Sequence, residues 1–245
     1  PLTLKFSYLG FGRELLTYAE TIDLDAFMAE HVAPNMGLPL VRTVRYMSTD
    51  PWAIMPGNET WARYPVEDAQ PLGYGSLDFI TGLLDHIALD AGRLPAGFPG
   101  APPVTDNGEI EIMVGRGFSA KTGIQAGDVV SLTRKDTVKV AVDLKTTREV
   151  QREYNVLARV TGVWAPINSN DTYWIIRPDA LQMDLTLSPE MMNRRIGPIV
   201  DRQFSLMIWA YELDDKAMTA ENVGDIVDRA NALSVEVFEK NDQLS

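Results

Sequence analysis

Residues 110–132 read IEIMVGRGFSAKTGIQAGDVVSL. Ile110, Ile112 and Val114 alternate with Glu111, Met113 and Gly115, the two-residue period of a strand with one more apolar face. Gly115 and Gly117 break that strand, and Phe118–Thr122 is long enough for about one and a half helical turns before Gly123 stops it. Gln125-Ala126-Gly127-Asp128 is a tight turn that calls for a small or left-handed residue. Val129, Val130 and Leu132 open the next strand. Strand, short helix, turn and strand thus fit into 23 residues, and none of them is chemically reactive.

Outward from this unit, the N-terminal flank opens on a strand, with Leu2, Leu4 and Phe6 alternating with Thr3, Lys5 and Ser7. Residues 13–21 read as loop or strand. Asp23 is a candidate N-cap for a helix carrying Leu24, Phe27, Met28 and Val32 on one face, closed by Pro34 and Gly37. Val41–Met47 is a second strand. Residues 48–76 hold four prolines, three glycines, two tryptophans and two tyrosines, and are expected to form a long loop. Leu77, Ile80, Leu84 and Ile87 have helical spacing, and 95–108 reads as an exposed, mobile turn region.

On the C-terminal flank, Arg134-Lys135-Asp136 reads as a hairpin turn, with strands expected over 139–144 and 150–164. In the latter, Tyr154, Val156, Ala158 and Val160 share a face opposite Asn155 and Arg159. Tyr173–Ile176 is expected as a short strand. Ser188 before Pro189 marks a helix start, and Phe204–Leu213 is a strongly apolar strand expected at the centre of a sheet. Val223, Ile226, Val227, Ala230 and Val237 follow the helical period in a last helix capped by Thr219 that runs on without a stop signal.

The order of elements, strand–helix–strand at one end and strand–helix at the other, points to an α+β chain. Residues 1–50 and 201–245 would form a split α/β unit around a β-rich insertion, 51–200. The net charge of −12 repels nucleic acid and anionic lipid. With no cysteine, disulfides, thiol nucleophiles and thiolate metal sites are excluded. No apolar run approaches the length that spans a bilayer. Pro1 stands where neither an initiator Met nor a signal peptide is in view, as in a fragment cut from between membrane helices.

Chemistry-bearing residues are sparse. His31 and His86 lack metal-site spacing and read as structural. Ser119 has no nucleophile elbow around it. Gly115-Arg116-Gly117 lacks the third glycine of a dinucleotide fingerprint and the Gly-Lys-Ser/Thr of a P-loop, so it reads as a turn. Glu212, Asp214 and Asp215 read as a solvated turn. Neither a catalytic residue nor a cofactor or metal ligand is assigned, and the chain is read as a non-enzyme. Trp52, Trp61, Tyr64 and Tyr74 are the candidate binding surface, because exposed aromatics supply large, stiff contact area.

GRGFSAKTGIQAGDVVSL, followed by ARVTGVWAPINSNDTYWI and preceded by Asp90–Pro95, resembles the extracytoplasmic domain of FtsX-like, MacB-type ABC transporter permeases. The likeness in motif covers about residues 90–176. It implies a porter-like, membrane-proximal part built from both chain ends and an inserted sabre-like β-rich part. Flanking transmembrane helices would lie before Pro1 and after Ser245, a cytoplasmic ATPase subunit would be the partner, and a dimeric permease is compatible with it. The domain would then recognise or relay a substrate or protein partner on the extracytoplasmic face of the cell membrane. A free-standing extracellular binding or adhesion module is the alternative, and a carboxylate–metal hydrolase a third.

Overall fold

The structure is a computed structural model that describes residues 2–10, 16–57, 70–141, 147–178, 184–200, 204–241 and 244. The chain opens on β1 (Leu2–Leu9) and α1 (Tyr18–Met36), then β2 (Leu40–Thr49). Helix α1 starts five residues before the expected Asp23, at a capping box: Thr17 Oγ1 accepts from the Glu20 N–H while the Glu20 carboxylate accepts from the Thr17 N–H. Leu24, Met28, Val32 and Met36 form its buried stripe, and Gly37 ends it in the left-handed conformation.

The expected loop at 48–76 contains β3 (Trp52–Pro56) and β4 (Gly73–Gly75), and its residues 58–69 lie outside the described ones. The expected helix at 77–89 is instead β5 (Leu77–Ile80), a 3-10 turn and the start of β6 (Ile87–Gly92). Gly82, at φ 76°, makes the bend that a continuous helix forbids. The 95–108 segment is not exposed throughout, because Ala96, Phe98 and Val104 are buried.

The central unit folds as read, with β7 (Ile110–Gly115), α2 (Arg116–Thr122), Gly123 at φ 78° and Gly127 at φ 97°. Strand β8 (Val129–Ala141) runs straight through Arg134-Lys135-Asp136, correcting the hairpin read there. It pairs with β9 (Thr147–Pro166), residues 142–146 between them lying outside the described ones. Tyr173–Ile176 forms a turn rather than a strand.

Strand β10 (Leu185–Thr186) is two residues long and leads into α3 (Pro189–Met191), a single turn capped by Ser188. The buried Ser188 hydroxyl accepts from the Met191 N–H (3.0 Å) and donates to the Ala96 carbonyl (2.8 Å), tying 95–108 to α3. Ser188→Ala is therefore expected to cost about 1–2 kcal/mol, read as a lowered urea midpoint at unchanged slope.

β11 (Phe204–Leu213) lies between β1 and β2, and α4 (Val223–Lys240) follows. Asn222, not Thr219, occupies the α4 N-cap position, and its side chain accepts from the Thr219 N–H. The helix ends at Lys240, close to the end of the chain as expected, and Leu244 bridges back to Tyr8.

The eleven strands among the described residues belong to one sheet, ordered β1-β11-β2-β5-β10-β7-β9-β8-β3-β4, with β6 on the flank of β9. The fold is α+β. The strands from the two chain ends lie side by side, β1 on β11 and β11 on β2, with α1 packed against β11 and α4. The middle segment continues that same sheet through β5, paired to β2 at Tyr46↔Ile80.

Ser76 is the single residue between β4 and β5, so the middle strands come round to where they started. Trp52, Ile54, Leu77, Ile112, Val114, Val130, Leu132, Ala158, Val160 and Leu185 are buried in one core that is continuous with Leu24, Met28 and Val32 of α1 and Phe6 of β1. Val44, Tyr46, Ile80, Phe98, Trp164, Tyr173, Trp174 and Ile208 form a second core on the other side of the sheet. Among the described residues no helix is long and apolar enough to cross a membrane.

Candidate functional site

Strands β7 and β9 are parallel, with Ile110 opposite Ala158 and Gly115 opposite Trp164, so their C-terminal ends open side by side. In sheets with parallel strands, that end is where chain departures leave a gap for ligands. Here α2 departs from Gly115 and β9 runs on to Pro166, leaving a crevice of about 590 Å³. Arg116, Gly117 and Phe118 form one wall, and Trp164–Pro166 another. Ser169, Arg177, Pro178 and Asp184 complete the lining.

The Gly115-Arg116-Gly117 turn thus borders the crevice, although its local reading is only a strand-to-helix turn. A Cβ placed on Gly117 would meet nothing within 4 Å, so its backbone is bare rather than packed. Arg116 is forked onto Asp90, Nε to Oδ2 at 2.5 Å and NH2 to Oδ1 at 2.6 Å. That hydrogen-bonded guanidinium holds the Asp90 carboxyl below its ordinary range.

Asp184 is the opposite case. Burial pushes its carboxyl up to about 6, with the Ser76 N–H and the Lys121 charge pulling the other way. The crevice therefore combines two guanidinium groups, one carboxyl that titrates near neutrality, and the apolar faces of Phe118, Trp164 and two prolines. Such a lining suits a ligand of mixed polarity.

Of the four candidate aromatics, the two among the described residues, Trp52 and Tyr74, do not line this crevice. Trp52 is fully buried inside the strand ring, where alternation along β3 turns it inward, so it is a core residue and not part of an exposed surface. Tyr74 is 65% exposed on β4. Trp61 and Tyr64 lie outside the described residues. Burial, not exposure, is the usual fate of a large aromatic ring.

Other chemistry-bearing residues have structural partners. His86 Nδ1 lies 2.9 Å from Asp171 Oδ2, and its ring stacks on Tyr173 at 3.7 Å between centroids. The Tyr173 hydroxyl donates to the Thr81 carbonyl, so this cluster pins the 171–174 turn over the second core. The Tyr173 N–H, and then His86, hold the Asp171 carboxyl below its ordinary range. His31 stacks on Phe27 in α1 and faces Glu236 of α4 at 3.5 Å.

Ser119 donates to the Ile124 carbonyl at 2.6 Å and so closes α2. Glu212 pairs with Arg42 at 2.5 Å, and Asp214 accepts from the Lys216 N–H. Among the described residues no three of His, Asp and Glu form a group that could hold a metal ion.

Asp184 and Trp164 carried no local signal as site residues. The lining comes from 115–118, 164–166, Ser169, 177–178 and Asp184, and the parallel pairing of β7 with β9 brings the first two of these together.

No family model matches this sequence, and no curated protein matches it. Among solved structures, the chain is similar to the crystal structure of a domain of a Porphyromonas gingivalis protein named as a permease, at 12% sequence identity and a TM-score of 0.38. The alignment covers 99% of this chain and 87% of that one.

Proposed function

We propose that this chain is a non-catalytic extracytoplasmic domain of an ABC transporter permease of the FtsX-like, MacB-type. It recognises or relays a substrate or protein partner, while a cytoplasmic ATPase subunit supplies the energy. One observation carries the reading: strands from the two chain ends assemble side by side, β1 on β11 on β2, while the segment between them closes into its own ring. A domain held at both ends by membrane helices needs its two termini in one unit and its recognition surface in the intervening segment. The crevice lies in that intervening segment, on β7, α2 and β9.

In this reading the division is a porter-like part, 1–50 with 201–245, and an inserted part, 51–200. The two move together because β5 pairs with β2, so a ligand in the insert can act mechanically on the membrane-proximal layer.

The test uses the native-length protein, tagged and expressed in its own host. It is expected in the membrane fraction, to be cut by protease added from the extracytoplasmic side, and to co-purify with an ATPase subunit. Recovery as a salt-washable or secreted protein without an ATPase would overturn the permease reading in favour of a free-standing binding module.

A further inference from the structure

Among the described strands, β5 and β7 are joined only through β10, a stave of two residues. Leu185 and Thr186 pair with Leu77 and Asp78 on one side and with Val114 and Met113 on the other. So short a ladder offers few hydrogen bonds, and beside it lie one fully buried carboxyl, Asp78, and one half-buried, Asp184.

Asp78 is fully buried, a rare state for an aspartate. Its Oδ1 accepts from the Thr186 hydroxyl at 3.1 Å, and the Asp184 N–H also donates to its carboxyl. Its Oδ2 has no partner. Asp184, one residue before β10, accepts in turn from the Ser76 N–H. It is held close over the β4–β5 junction, since a Cβ on Gly75 would lie 2.9 Å from the Asp184 Cβ. The two carboxyl groups therefore tie β10 to the β4–β5 side, Asp78 through Thr186 and the Asp184 N–H, Asp184 through the Ser76 N–H.

We propose that β10 is a proton-operated seam: with Asp78 and Asp184 protonated the stave is closed, and loss of their protons opens the ring between β5 and β7 beside the crevice. A carboxylic acid can be buried at little cost, whereas an unpaired carboxylate cannot. The charged and titratable groups facing the pair are few. Tyr46 of β2 lies near Asp78, and burial first and the Asp78 charge second hold its phenol well above the ordinary range. Lys121 of α2 faces Asp184, and Arg116 and Arg177 stand across the crevice. This inference does not depend on the permease reading.

The sign follows from the two carboxyls, both raised by burial in the closed form: Asp184 to about 6, Asp78 well above its usual value. An opened stave returns both to ordinary values near 3.9. Closure is therefore favoured in full below about pH 3.9 and weakens as pH rises through the closed-state values. For Asp184 the opening equilibrium grows about tenfold per pH unit between roughly pH 4 and 6, about 100-fold in all. Asp78, returning to the same ordinary value on opening, adds its own rise over that range.

Hydrogen exchange of single amides reads this directly. The Leu185 N–H donates to the Ser76 carbonyl and the Leu187 N–H to the Asp78 carbonyl. Their protection factors, corrected for intrinsic exchange and taken relative to the Val160 amide, are expected to fall from pH 4 to 6 by at least about 100-fold, the share of Asp184, with Asp78 adding to it. Asp184→Asn should lower that slope to the share that Asp78 supplies. Lys121→Met, an exposed change that leaves these ties intact, should shift the midpoint upward. Wild-type ratios independent of pH, or an Asp184→Asn protein with the wild-type slope, would overturn the proposal. If Asp184→Asn fails to fold, an unshifted midpoint in Lys121→Met would also overturn it.

Discussion

Trp52→Ala is expected to lower the unfolding free energy by about 4 kcal/mol, whereas Tyr74→Ala changes it by less than about 0.5 kcal/mol. The indole of Trp52 is fully buried inside the strand ring and meets Tyr154 edge-on at 6.2 Å between centroids. Its Nε1–H donates to Thr49 Oγ1 at 3.2 Å. That hydroxyl also accepts from the Leu77 N–H and donates to the Asp50 carbonyl, so its bonding capacity is filled. Truncation removes the ring, leaves a cavity between β3 and β9, and strips one bond from a buried hydroxyl. Trp52→Phe separates these effects, because it keeps most of the apolar volume and loses the N–H. It should cost roughly 1–2 kcal/mol. Urea unfolding followed by far-UV circular dichroism gives all three values. A Trp52→Ala protein within about 1 kcal/mol of wild type would mean the ring is not where the indole resides.

The same contrast shows what could be read locally. Residues 110–132 were legible because every signal in them is short-range: alternation up to Val114, glycines at positive φ after α2 and in the turn, alternation again from Val129. Trp52 was misjudged because four prolines and three glycines around it suggest a loop. Yet Trp52, Ile54 and Pro56 alternate with Ala53 and Met55 in burial along β3, a pattern present in the sequence but only five residues long. Leu77–Leu89 failed for a different reason. Its apolar spacing satisfies a helix, while Leu77–Ile80 is buried on both faces of a sheet, and a short apolar run does not distinguish the two. At the first helix both Asp23 and the Thr17–Glu20 pair offer start signals, and the reciprocal bonds of the capping box decide for Thr17.

The crevice was less legible than the fold. Gly115-Arg116-Gly117 could be seen as a turn, but Asp184 becomes unusual only through burial next to β4 and β10. Burial of a carboxyl is a property of what packs around it, and here those groups come from Ser76, Asp78 and Lys121, far apart in sequence. The same holds for Asp25 and Arg45, ordinary surface residues by type that α1 and β2 bring into contact beneath the helix.

That pair supports the second large expectation: Arg45→Met should destabilise the protein by about 3–5 kcal/mol near pH 7. The Arg45 guanidinium pairs with the Asp25 carboxylate, the two side chains being 16% and 20% exposed. It also lies over the Phe79 ring at 5.0 Å. Trp209 Nε1 donates to Asp25 Oδ1 at 2.8 Å, so the carboxylate bolts α1 to both β2 and β11. Burial already raises the Asp25 carboxyl above its ordinary value, with Arg45 as the main opposing influence. Removing Arg45 leaves that burial unopposed and raises it further.

A raised carboxyl stabilises the fold below its unfolded-state value and loses that contribution as pH rises through the folded value. The cost of Arg45→Met is therefore expected to shrink as pH falls below neutrality and Asp25 takes up a proton. Asp25→Asn, which keeps an oxygen for Trp209, should relieve most of the cost when combined with Arg45→Met. The double variant then has no unpaired charge left beneath the helix. Additive losses in the double variant, or a cost independent of pH, would show that Arg45 acts through packing on Phe79 rather than through the ion pair. Both outcomes are open to measurement because Arg45 Nε has no hydrogen-bond partner, which marks the pair as incompletely satisfied. An incompletely satisfied buried pair contributes little net stability while intact and is costly to break on one side, so the single and double variants should diverge.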